Sequence, residues 1–128
     1  ICGNDLTKPP AGATQSCDHK AQSDMKVYSS AGHMHLLGRS IQIEINPETD
    51  DAQTLLDIEL WDFDNQSATL MGEPQLVQKG DVLRVTCTHD VSLRQVLPAL
   101  ADIEPRYVTW GEGTTDEMCL GILSVTRA

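Results

Sequence analysis

Two of the chain's four histidines stand one residue apart in "SAGHMHLLGRS", Ser30 to Ser40. On an extended strand side chains alternate between the two faces, so His33 and His35 share one face and Met34 takes the other. Two imidazoles so placed can bind one metal ion, but a two-ligand site is weak, and the chemistry needs a third ligand from elsewhere in the chain. His19, His89, Met118 and the carboxylates are the candidates, and the cysteines join them only if they are not bridged. The third ligand would select the metal. A thioether suits copper, Cu(I) above all, whereas a carboxylate suits zinc or non-haem iron. Without it, the pair is two partly exposed strand histidines.

Several neighbours bear on that choice. Asp116 and Glu117 directly precede Met118, where a carboxylate can orient a ligand histidine, act as acid or base, or hold a turn beside Thr114 and Thr115. His89, beyond Cys87, reads as an exposed loop histidine. Met34 reads as packing, and Met25 and Met71 as packing or surface residues. Trp61, Phe63 and Trp110 read as core or sheet-face residues before they read as a pocket lining. The chain has no phosphate-binding glycine loop, Walker element or G-x-S-x-G elbow.

The elements that must position these residues are short and bounded by turn signals. "MKVYSS" leads into the histidine segment as a strand. "HLLGRSIQIEI" alternates Ile41, Ile43 and Ile45 against Gln42 and Glu44, and "NPETDDAQ" closes it with a polar turn. "TLLDIELWDFD" places Leu56, Ile58 and Leu60 on one face against Asp57, Glu59 and Trp61. After a turn at Lys79-Gly80-Asp81, Leu83, Val85 and Cys87 alternate inward against Val82, Arg84 and Thr86. "SLRQVLPALADIEP" reads as a short helical turn or a long loop, interrupted at Pro98. "YVTWGEG" and "EMCLGILSVT" read as two strands around a glycine-rich turn. About seven or eight short strands predict an all-β, antiparallel β-sandwich of jelly-roll type.

At 128 residues the chain fits one domain. The expected division is an N-terminal arm over residues 1–22, rich in Pro and small polar residues, and a β-sandwich domain over 23–128. Nine Lys plus Arg against nineteen Asp plus Glu give a formal net charge of −10, which disfavours nucleic acid and anionic membrane surfaces as partners. No window is apolar enough for a membrane span. Cys2, Cys17, Cys87 and Cys119 form no CxxC pair, and an even number in a small domain predicts two disulfides in an oxidising compartment. Spacing alone leaves all three connectivities open. The chain opens at Ile1, as a processed or trimmed protein would, so a missing signal peptide does not argue against a secreted, periplasmic or extracellular setting.

Four stretches narrow the reading further: "HMHLLGR", "WDFDNQ", "KGDVLRVTC" and "WGEGTTDEMCLGIL". Together, in this order and from about Cys17 to the end, the chain resembles the C-terminal domain of the copper type II, ascorbate-dependent monooxygenases. That family includes peptidylglycine α-hydroxylating monooxygenase and dopamine β-monooxygenase. The resemblance implies a single copper, the M site, held by the two histidines of HxH and the methionine of DEMC, here His33, His35 and Met118. It also implies a Cys87–Cys119 disulfide, which leaves Cys2 and Cys17 to pair with each other. With Met118 turned toward the histidines, Cys119 faces the interior, where Cys87 is also expected to point.

The family's second copper, bound by three histidines in an N-terminal domain, has no counterpart in these residues. The expectation is therefore a mononuclear copper-binding protein, Cu(I) or Cu(II), able to activate dioxygen if ascorbate, another reductant or a protein electron donor supplies electrons. Its substrate would be a small molecule or a peptide. A copper carrier, buffer or sensor without catalysis is the alternative.

Overall fold

The isoleucine alternation becomes a strand that buries one side. In β3 (Gly38–Ile45), Ile41, Ile43 and Ile45 lie in the core while Gln42 and Glu44 face outward. β-branched residues at every second position fit a pleated, half-buried surface. Beside it runs β6 (Val82–His89), with Leu83 and Cys87 buried on the inward register and Arg84 on the outward one. With β1 (Thr14–Lys20) and β4 (Gln53–Ile58), they form a four-stranded antiparallel sheet in the order β1-β6-β3-β4. The computed structural model describes residues 14–103, 111–114 and 116–128.

The second sheet, also antiparallel, runs β5 (Thr69–Val77), β2 (Met25–Met34), β7 (Cys119–Arg127). Val27, Met34 and Val77 from this sheet meet the three isoleucines and Leu83 from the other in one apolar cluster. Such burial of apolar surface is the main force holding two sheets face to face. A disulfide from Cys87 to Cys119, S–S 2.10 Å, ties the sheets covalently. Gly32 and Gly121 stand opposite each other in the β2–β7 ladder. A Cβ on Gly32 would lie 2.8 Å from Ile41 Cγ2, and one on Gly121 2.6 Å from Val85 Cγ2. The missing side chains let the sheets approach closely just beside the histidines.

The all-β, two-sheet reading holds, and Met34, Trp61 and Cys87 are buried as expected. Met25 and Met71 pack against the core. The turn at residues 79–81 is present, with Gly80 at φ 96. Other expectations change. Thr14–Lys20, read as irregular arm, is a strand: it pairs with β6 at a sheet edge and is mostly exposed, so it carries no buried period to read. β4 stops at Ile58; Leu60 is exposed and Trp61 turns inward, with its backbone N–H donating to Arg39 O at 2.8 Å. The segment around Pro98 is a four-residue helix, α1 (Leu93–Val96), and a 3₁₀ turn at Pro98–Leu100. Residues 104–110, including Trp110 and most of the expected "YVTWGEG" strand, lie outside the described residues, as does Cys2, and with it the expected Cys2–Cys17 pairing; Gly111–Gly113 are not in a strand.

Candidate metal centre

His33 is the penultimate residue of β2 and His35 follows the strand's last residue, Met34. Met34 is fully buried, so alternation turns both histidines to the opposite side, as the spacing predicts. Their rings stand edge to face with centroids 5.1 Å apart. Across the ladder His33 pairs with Leu120 and Met34 with Cys119. Met118 is therefore next to the residue opposite Met34, and it precedes β7 rather than lying within it. Cys119 points inward to its disulfide, and Met118 is half-buried.

Both imidazoles have one nitrogen committed. His33 Nδ1 is 2.7 Å from Gln66 Oε1, and the Gln66 amide is itself oriented because its Nε2 donates to Phe63 O at 2.8 Å. His35 Nδ1 is 3.2 Å from the carbonyl of Asp116. Both partners are acceptors, so each ring carries its proton on Nδ1 and presents the Nε2 lone pair. A metal-binding histidine usually has this arrangement, with the remote nitrogen held by a second group. Phe63 packs edge-on against His35 at 6.3 Å between centroids.

The turn that delivers Phe63 and Gln66 is built by Asp62. Its carboxylate accepts from Asp64 N at 3.0 Å and Asn65 Nδ2 at 2.7 Å. The bond from Asn65, then the one from the Asp64 backbone, holds the Asp62 carboxyl below its ordinary range. Sequence reading gave Gln66 no role, although it stands in the "WDFDNQ" stretch. Its signal was positional, since an amide has no chemistry that singles it out.

The other candidate ligands fall away. His19 lies on β1, in the opposite sheet, and is exposed. His89 is not an exposed loop residue: it ends β6 and is buried, with Nε2 3.2 Å from Glu117 Oε1. Among the described residues no three His, Cys, Asp or Glu side chains gather as a metal cluster. Asp116 and Glu117 do hold the adjoining turn. Glu117 accepts from His35 N at 3.0 Å and Leu37 N at 2.9 Å, and Asp116 accepts from Gly113 N at 3.3 Å.

The fold and this site define a β-sandwich with a half-buried and a buried imidazole side by side at the margin of its smaller sheet. Residues 8–124 match the family described as copper type II ascorbate-dependent monooxygenase, C-terminal domain, and the chain belongs to that family. Copper binding is thereby supported at the level of the family.

Proposed function

We propose that the chain binds one copper ion through His33 Nε2, His35 Nε2 and the Met118 sulfur. The observation that carries this is the contact of Gln66 Oε1 and Asp116 O with the two Nδ1 atoms, which favours protons there and Nε2 lone pairs on neighbouring imidazoles. Two borderline nitrogens and one soft sulfur, all uncharged, suit Cu(I) and leave a coordination position open. Copper held there supplies one-electron redox chemistry and a binding position for dioxygen. Gln66 and Asp116 orient the rings, and Phe63 shields the edge of His35 from water. Electrons come from ascorbate or another external reductant, or from a protein donor, and the substrate is a small molecule or a peptide. The Cys87–Cys119 bridge supports work in an oxidising, extracytoplasmic compartment.

A second reading, a copper carrier, buffer or sensor, has its own observation. Both Glu117 oxygens serve backbone N–H groups and an Asp116 oxygen serves Gly113 N, so the acids nearest the site have structural work. Copper titration with oxygen uptake separates the two. The oxygenase reading expects one copper per chain and ascorbate-dependent oxygen consumption matched by hydroxylated product from some member of a broad substrate panel. Stoichiometric copper with no coupled product across that panel supports the carrier reading.

A further inference from the structure

Glu117 is a carboxylic acid at 3% exposure, in contact with a histidine at 2% exposure. A buried carboxyl is costly unless its oxygens are hydrogen-bonded, so its partners show what it is there to hold. Its oxygens are divided between two backbone donors of a single turn. Oε1 accepts from His35 N and Oε2 from Leu37 N, while His35 O accepts from Gly38 N at 3.1 Å to close the turn. The carboxyl spans the bend that follows the histidine pair.

Two of the three residues before Cys119 act on the same place. Asp116 meets the His35 ring through its carbonyl, Glu117 meets the His35 backbone through its side chain, and Met118 follows directly. His89 stands behind the carboxyl. Its Nε2 is 3.2 Å from Oε1 without the alignment of a hydrogen bond, and neither ring nitrogen has a hydrogen-bond partner among the described residues. Leu37 O also accepts from Asp90 N at 2.8 Å, so the residue after β6 is tied to the same turn.

We infer that Glu117, backed by His89, is a positioning residue: a buried latch that fixes the distance and angle between His35 and Met118 before any metal arrives. The inference rests on the proposed copper site for its functional meaning, but the latch itself is a property of the metal-free protein. Its chemical logic is that a carboxyl can accept from two amides at once, whereas an amide side chain offers one acceptor and one donor. Glu117→Gln keeps the shape and sets an NH2 group against one of the two backbone N–H groups.

The test compares wild type, Glu117→Gln and His89→Phe in two ways. In the apo protein, amide hydrogen exchange is read residue by residue with the ring tautomer of His35 from nitrogen shifts. Exchange at His35 and Leu37 is expected to rise at least about tenfold in Glu117→Gln, and by less in His89→Phe, with Ile43 and Val85 unchanged. Cu(I) affinity is expected to fall about 10–100-fold in Glu117→Gln, the usual effect of losing a group that orients a ligand. Leu83→Ala, a core change at the far end of β6, is the control for plain destabilisation and should leave Cu(I) affinity of the folded protein unchanged.

Unaltered exchange at His35 and Leu37 in both variants overturns the latch. So does acceleration spread evenly over the core amides, which marks a merely structural role. If Glu117→Gln does not fold, His89→Phe decides by the same two amides. If wild type binds no copper, the proposed function fails while the exchange data still decide the latch.

Discussion

On the outer face of the four-stranded sheet, Arg84 donates to both oxygens of Asp18 at 2.7 and 3.1 Å and to Glu48 at 3.2 Å. On the outer face of the three-stranded sheet Ile122 and Leu70 are exposed, and at its margin His33 and the buried His35 have Nδ1 held and no Nε2 partner among the described residues. The first face has answered its charges with one another, as solvated surfaces do. The second leaves ring nitrogens without partners among the described residues and apolar side chains uncovered on the same sheet. Ligand chemistry belongs where coordination capacity remains, whereas Arg84 and Asp18, each shifted by its bond to the other, are paired on the solvated face.

That contrast can be broken at several points. The largest effect is expected from removing the bond between the two sheets. Cys87→Ser with Cys119→Ser opens a loop with a sequence separation of 32, and the chain-entropy relation gives a loss of about 3–4 kcal/mol. Urea denaturation checks it, and copper affinity should fall as well because Cys119 anchors Met118. Next, His35→Ala is expected to lower copper affinity by more than about 100-fold, beyond the loss of an orienting partner alone. Its thermal transition should stay cooperative, since the core supplies the stability. Retention of wild-type copper affinity would break the comparison outright.

Gln66→Leu sharpens it. With the Nδ1 acceptor gone, the His33 ring is free to rotate, and an affinity loss of about tenfold is expected in a competition titration. The smallest effect belongs to the charged face. The hydrogen bonds from Arg84 hold the Asp18 carboxyl below its ordinary value of 3.8. The stability they add is present at neutral pH and is lost as the pH falls below that value and through the lower folded pKa. Asp18→Asn should leave copper binding unchanged and lower the neutral-pH melting temperature only slightly at physiological salt, with that difference vanishing in strong acid.

Particular residues show how far the sequence could be read. Ile41, Ile43 and Ile45 announce β3 because a buried face opposes a polar one at period two. The HxH pair announces itself because alternation is local. β1 does not, since both faces of an exposed edge strand are polar and its partner, β6, is remote in sequence. His89 was misread for the same reason. Its environment is made by Glu117 and by Gly38 across the β3–β6 ladder, and neither is near it in the chain. The Leu60 and Trp61 exchange came from a strand that stops at Ile58, where the Trp61 backbone bonds to Arg39 instead of continuing the ladder. Local periodicity carries strands and ligand pairs, while long-range partners decide which polar groups are buried.

The most direct test of the central claim is X-ray absorption of the Cu(I) protein at one equivalent of metal, wild type beside Met118→Ile. The account predicts two nitrogen scatterers and one sulfur in wild type, with the sulfur absent and Cu(I) affinity reduced more than Cu(II) affinity in the variant. A wild-type spectrum without sulfur, or equal losses for both oxidation states, would contradict it.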